Sequence, residues 1–362
     1  MTGTQLHDRP PRARLAEVDT TVPGPTWHAL LEADPDAMPT QSPQWLAAVC
    51  ASGEWEDASR LYRIADGRTA LLPLVARTRR PGWAQTLDSP PVAWGYGGLL
   101  CDGAVTADLV AAVLDDVTAT HPLRLHVRPN PLHAGAWREA LRGRAGLSVR
   151  DGCAHVLDLT GGFETVWGKR FKQMTRTQVR RAERMGVEVE TDTGGRLVGV
   201  LDQLLAASTD RWAEHQHEPR ALARWRRIRR DPVSKLRTIA DTLGEACRVS
   251  VAWYDGRPAA AILVLRGRNA HYTRGAMDEE LAGRTQANRL LHKVAIEEAC
   301  AAGCAAYHMG ETGGSEGLAQ FKSRFGAVAH PYPELWLERL PLHRADQRLR
   351  GAAKRVIGFR DV

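Results

Sequence analysis

Between residues 270 and 326 the chain passes through four short signatures: Arg274-Gly275-Ala276-Met277-Asp278, Arg284-Thr285-Gln286-Ala287-Asn288-Arg289, Tyr307-His308-Met309-Gly310 and Phe321-Lys322-Ser323-Arg324-Phe325-Gly326. Apolar alternation predicts a strand over 270–277, a helix over 286–302 and a strand over 305–309, followed by a glycine-rich loop over 310–317. Strand, loop, helix and strand at this spacing make a compact βαβ-like unit. Just upstream, 248–254 and 259–266 flank Asp255-Gly256, a pair that favours the left-handed turn of a β-hairpin. Helices are expected over 197–215 and 222–243, the second interrupted by Pro232, and a strand over 187–190.

The first half has the same style. Strands are expected at 60–64, 70–76, 95–100, 123–127 and 154–159, with a helix over 106–118. Ser42-Pro43-Gln44-Trp45 opens another helix, since proline is preset for a first helical turn. Strands interleaved with helices predict an α/β or α+β layer structure. Two similar halves, 25–159 and 160–334, follow a polar, turn-rich lead-in over 1–24 that is expected to be flexible. Gly95-Tyr96-Gly97-Gly98 reads as a structural turn, with lining of an acceptor cleft as the second reading.

The 362 residues are 43% apolar and 25% charged, proportions of a folded chain rather than a disordered one. No apolar run nears the roughly 20 residues that a membrane span needs. The N-terminus lacks the apolar core of a secretory signal, so a cytoplasmic protein is expected, and a two-domain chain of this size is expected to be a monomer. Six scattered cysteines form no CxxC pair and no zinc spacing, so neither a metal site nor a disulfide framework is expected.

Net charge is +7, yet only six of the 49 basic residues are lysine. A long basic helix is predicted over 163–185. On a helical wheel Trp167, Phe171, Met174, Ala182 and Met185 share one face. Lys169, Lys172, Arg176, Arg180 and Arg184 fall opposite, within an arc of roughly 120°. Cations crowded on one face repel unless an anion sits there. Arg220, Arg224, Arg226, Arg227, Arg229 and Arg230 form a second cluster. RNA, a nucleotide or an acidic membrane surface would each suit such patches.

Together with Arg180-Arg181-Ala182 and Gly186-Val187-Glu188-Val189, the four signatures resemble the Fem-type transferases of the GNAT superfamily. Gln41-Ser42-Pro43-Gln44-Trp45, Ser89-Pro90-Pro91 and Trp94-Gly95-Tyr96-Gly97-Gly98 add weaker matches. The resemblance implies two tandem GNAT-like domains with mixed central sheets, the C-terminal segment 335–362 packing back on the first. It implies transfer of an aminoacyl group from charged tRNA to an amine. The acceptor would be a peptidoglycan precursor or a peptide or small-molecule natural-product intermediate, with no cofactor beyond the tRNA co-substrate. An acyl-CoA-dependent N-acyltransferase is the alternative.

The residues bear on that choice. CoA-dependent members carry a Q/R-x-x-G-x-G/A loop, whose glycines let backbone amides approach the pyrophosphate at a helix N-terminus. Here Arg284, Asn288 and Arg289 occupy that region and both glycine positions are filled. Lys322 matches the family lysine at the transferred group, where a fixed ammonium would stabilise the oxyanion of ester aminolysis. Phe321 and Phe325 would anchor its segment, and Arg324, Arg274 and Arg284 would meet substrate or tRNA. Asp278 and His308 are the acid–base candidates at strand ends, His308 reading first as a packed core histidine. Glu311, also at a predicted strand end, is a third candidate.

Overall fold

The computed structural model describes residues 13–339. Two sheets carry the chain. The smaller is antiparallel, ordered Leu15–Asp19, Arg60–Ile64, Thr69–Leu72, Leu100–Cys101. The larger has eleven strands and runs unbroken through both halves. From one edge its order is Glu188–Asp192, Cys247–Tyr254, Arg257–Arg266, Ala270–Met277, Ala306–Glu311 and Leu147–Asp158. It continues through Val328–Glu338, Arg124–Val127, Thr86–Ser89, Val75–Arg77 and Trp55–Asp57.

Each half repeats one motif. Antiparallel strands lead to a parallel pair joined through a helix: Thr86–Ser89 with Arg124–Val127 across Ala107–Ala119, and Ala270–Met277 with Ala306–Glu311 across Ala287–Ala301. The next strand of each half is then exchanged. Leu147–Asp158, which follows the first motif in sequence, pairs with Ala306–Glu311 of the second. Val328–Glu338, which follows the second motif, pairs with Arg124–Val127 of the first. The two exchanged strands pair with each other over ten residue positions, from Val328↔Val156 to Leu337↔Leu147. His126, fully buried, pins the exchange by bridging Asp88 at 3.2 Å and Glu334 at 2.8 Å.

Local chemistry accounts for the elements. Asp255 and Gly256 both take positive φ, 49° and 71°, closing the hairpin with Tyr254 opposite Arg257. Helix Ala107–Ala119 is capped by the Thr106 side chain and buries Leu109, Val110, Val113, Leu114 and Val117 at helical spacing. Strand Arg257–Arg266 is covered on both faces, hence its continuous apolar reading: Ala260, Ile262 and Val264 enter one core, Ala261, Leu263 and Leu265 another. Trp45 and Trp94 of the first half also pack in the second of these cores.

Several expectations are revised. Leu15–Asp19 is a strand paired with Arg60–Ile64 rather than part of a flexible lead-in. The stretch predicted as a strand over 95–100 is irregular, with an isolated bridge from Gly97 to Pro129 and strand only from Leu100, because Gly95 and Gly98 hold positive φ. The predicted helix over 222–243 is two, Arg220–Arg230 and Val233–Leu243, since Pro232 cannot donate to a continuing helix. The strand Val328–Glu338 was not foreseen. It pairs with Arg124–Val127 at Leu335–Glu338 and with Leu147–Asp158 along Val328–Leu337, both strands of residues 25–159; the rest of the 335–362 segment, with the basic tail at 344–360, lies beyond the described residues except for Arg339. No helix among the described residues is long and apolar enough to cross a membrane.

Candidate active site

The parallel strands Ala270–Met277 and Ala306–Glu311 pair only at Ala270↔Tyr307 and His271↔His308, then diverge. A cavity of about 230 Å³ opens beside the divergence, lined by Tyr272, Thr273 and Arg274 from one strand and Gly310 and Glu311 from the other. The first half adds Trp45, Trp94, Tyr96 and Arg128, so the cavity lies between the halves. Its shape depends on a β-bulge. Leu265 faces His271 and Val264 faces Tyr272, but Leu263 faces Arg274, leaving Thr273 unpaired. Simple alternation would send residues 271 and 274 to opposite faces; the extra residue returns both to the face that carries Leu263 and Leu265.

Lys322 sits behind this wall. Its side chain is almost fully buried, and Nζ donates to the carbonyls of Gly310, at 2.9 Å, and Glu311, at 2.5 Å. Burial pushes the ammonium down to about 8, with Glu311 opposing. The Glu311 carboxylate is committed in turn: it pairs with Arg128 and accepts from the Tyr332 hydroxyl. Arg128 also donates from Nε to the Tyr332 hydroxyl at 3.0 Å and lies 4.9 Å from the Tyr96 ring centre. A carboxylate held this way is a positioning group rather than a free base.

The opposite wall carries a second ionic cluster. Asp231, at the corner before Pro232, accepts from Arg274 at 2.6 Å and from Lys235 at 3.0 Å. Lys235 also donates to the carbonyls of Ala93 and Arg230, and its ammonium lies 4.2 Å from the Trp94 ring centre. Burial would raise the Asp231 carboxyl, but Arg274 and Lys235 outweigh it and hold the group well below its usual range. Burial pushes Lys235 down to about 8.

Of the residues singled out in the sequence, Arg274 lines the cavity and Lys322 abuts it. Asp278 does not: its carboxylate caps helix Glu279–Thr285 by accepting from the Leu281 amide at 3.0 Å. His308 is fully buried with neither ring nitrogen bonded, and burial pushes it down to about 3, so it is a neutral packed ring. Phe321 and Phe325 pack on His292, with centroids 5.4 and 5.6 Å away, and anchor the lysine's helix Glu316–Arg324. The Arg324 carbonyl accepts from the Lys172 amide and the Thr175 hydroxyl, tying this helix to the basic one. Arg284 lies over Tyr254, Arg289 over Phe321, and Asn288 is half-buried in the first turn of Ala287–Ala301.

The first turn of Ala287–Ala301 is largely satisfied from within. The Ala287 amide donates to Thr285 Oγ1 at 3.4 Å, the Arg289 amide to the Gln286 carbonyl at 2.9 Å, and the Arg289 guanidinium to Gln286 Oε1 at 2.6 Å. These bonds occupy the helix end where a pyrophosphate would dock.

The basic patches differ from their sequence picture. The predicted helix over 163–185 is a turn at Gly162–Thr165, a π-helical turn at Val166–Arg170, a break, and a helix at Gln173–Arg184. The break resets the register, so Thr175, Val179 and Ala182 are buried and Met174 is exposed. Arg176 is consumed by the carbonyls of Trp167, Gly168 and Phe171. Lys169, Lys172, Arg180 and Arg184 remain on the surface. In the second cluster Arg220, Arg224, Arg226, Arg227 and Arg230 pair with Glu214, Asp210, Glu218, Asp202 and Asp231, which cancels most of its charge.

Sequence reasoning missed the parts played by Asp231, Lys235, His271, Tyr332 and Arg128. Pro232 and the Trp94–Gly98 turn were the visible signals, the first for the Asp231 corner and the second for the cleft lining.

Residues 169–323 match the acetyltransferase (GNAT) domain family. The solved structure of FemX superposes with a TM-score of 0.68 at 13% identity, over 91% of this chain and 99% of that one. A conserved protein of unknown function from Bacteroides thetaiotaomicron superposes with a TM-score of 0.53 at 12% identity, over 90% of this chain and all of the other. No curated protein sequence matches the chain. The molecule is thus a mixed α/β protein of two tandem GNAT-like halves, the second carrying the stretch that matches the GNAT domain family. In its whole course that fold is Fem-like.

Proposed function

We propose that the protein forms an amide by moving an aminoacyl group from charged tRNA to an amine on a small-molecule or peptide acceptor. A peptidoglycan precursor and a natural-product intermediate both fall within that class. The observation that carries the reading is the occupied first turn of Ala287–Ala301 next to an open cavity. The chain keeps a place for acyl transfer and has filled the pyrophosphate cradle with Gln286 and Arg289. Exposed Lys169, Lys172, Arg180 and Arg184 supply a stripe for tRNA phosphates.

In the reaction the unprotonated amine attacks the ester carbonyl. A C–N bond forms, the carbonyl C–O bond to the ribose breaks, and the ribose oxygen leaves with the proton that the nitrogen gives up. Negative charge develops on the carbonyl oxygen between these events. The Lys322 ammonium spends two of its three N–H groups on Gly310 and Glu311, and we assign the third to that oxygen. Glu311, held by Arg128 and Tyr332, keeps the strand end in place.

The test offers tRNA charged with labelled amino acids and, separately, labelled acetyl-CoA to the purified protein with an amine-rich extract. Label should pass from tRNA to a stable amide. Lys322→Ala should reduce the rate by about 10²–10³, the scale for losing one oxyanion donor. Transfer from acetyl-CoA alone would sink the aminoacyl reading.

A further inference from the structure

The cavity wall holds a buried donor without an acceptor. Arg274 donates from Nη1 to the Thr273 carbonyl at 2.7 Å and from Nη2 to Ala93 at 2.9 Å and Asp231 at 2.6 Å. Its Nε–H is buried and unmatched. A buried donor left unpaired is costly, and Arg274 lines the open cavity, so a ligand there can supply the missing oxygen. The guanidinium is already fixed by three bonds, so little further entropy is lost on binding.

The surroundings set the sign of that ligand. Arg274 and Lys235 share Asp231 on one wall and Arg128 pairs with Glu311 on the other, three cations to two carboxylates, with the Lys322 ammonium behind. His271, brought to the same face by the Thr273 bulge, has an unmatched Nδ1. Burial holds its ring neutral, so it does not repel an amine that arrives as an ammonium. Trp45, Trp94 and Tyr96 provide apolar walls for a body of amino-acid or dipeptide size.

We propose that Arg274 is the residue that selects the acceptor: its Nε–H receives a carboxylate, so the acceptor amine belongs to an amino acid or short peptide with a free carboxyl group. This rests on the cavity's being the acceptor site of the transfer reaction. Lys235 and the Val233–Leu243 helix hold Asp231, and Asp231 aims the guanidinium; both are positioning residues.

Trp45 and Trp94 allow a direct test by tryptophan fluorescence on the full chain. The probes are Ala-Ala, its C-terminal amide, and inorganic phosphate. Ala-Ala should bind about tenfold tighter than the amide, the scale of one charge-assisted hydrogen bond. Arg274→Gln should erase that preference, and Arg274→Lys, which keeps the charge but not the Nε–H, should keep only part of it. Circular dichroism checks that each variant is folded. If Arg274→Gln fails to fold, Arg274→Lys carries the comparison. Equal binding of acid and amide, a preference that survives undiminished in either variant, or phosphate binding as tightly as Ala-Ala overturns the proposal. Transfer from charged tRNA is read separately. A carboxylate preference without transfer removes the aminoacyl reading and leaves Arg274 in place, whereas transfer to acid and amide alike does the reverse.

Discussion

Burial holds the Lys322 ammonium at about 8, against 10.5 for an exposed lysine, even though Glu311 pulls the other way. The charge we assign to the oxyanion is therefore lost as pH rises through about 8. Transfer by the wild type should decline on that alkaline side once enzyme-free ester hydrolysis is subtracted. Lys235 titrates in the same range, so the assignment needs a variant: Lys322→Arg, which stays charged, should lose the decline. Stability moves oppositely. The unfolded lysine keeps its proton up to 10.5, so between about 8 and 10.5 the unfolded chain binds more protons and folding strengthens with pH. The stability difference between wild type and Lys322→Met, measured in urea, should shift in favour of the wild type across that window. Lys322 was legible because lysine is scarce in this chain and sits between two aromatics. Its two carbonyl partners were not, since they depend on where a glycine-rich loop turns. Arg274 and His271 were harder still: nothing in Tyr272-Thr273 marks the bulge that puts both on one wall.

Elements were most legible where periodicity was long and uninterrupted. Helix Ala107–Ala119 and strand Ala270–Met277 fall within a residue of expectation, whereas the basic helix was drawn through a break. The break packs tightly on a distant segment: a Cβ on Gly326 would lie 2.6 Å from the Arg170 carbonyl, and Gly326 holds φ at +88°. Gly326→Ala should cost about 1–3 kcal/mol for the backbone conformation, and more from the clash, as a lowered urea midpoint. The basic residues should separate by role. Arg176→Met leaves the Trp167, Gly168 and Phe171 carbonyls without their donor and should lower stability by about 1–3 kcal/mol, with little effect on RNA binding per folded molecule. Replacing Lys169, Arg180 and Arg184 by glutamine should leave the urea midpoint nearly unchanged. It should also flatten the salt dependence of tRNA binding by about 0.7–0.9 in log–log slope for each phosphate no longer neutralised.

On the scale of the whole molecule, two mixed α/β halves were readable from the alternation of strand and helix signals. The exchange of their final strands was not, because strand pairing between distant segments leaves no local trace in the sequence; only the return of segment 335–362 to the first half was expected, from the family resemblance. Leu147–Asp158 and Val328–Glu338 each complete the other half's sheet. Neither half owns a full set of strands, so urea unfolding followed by tryptophan fluorescence and by far-ultraviolet circular dichroism should give one coincident transition. Two separated transitions would mean that each half is stable without its borrowed strand. The same exchange governs how substrates arrive. Paired two-domain enzymes commonly close on a ligand by swinging about a few linker residues. Here a ten-position ladder crosses the seam, and any such swing would tear its backbone bonds. The molecule therefore works as a clamped jig: the aperture beside Trp94 is set at folding, and whatever substrate enters it must be shaped to fit it.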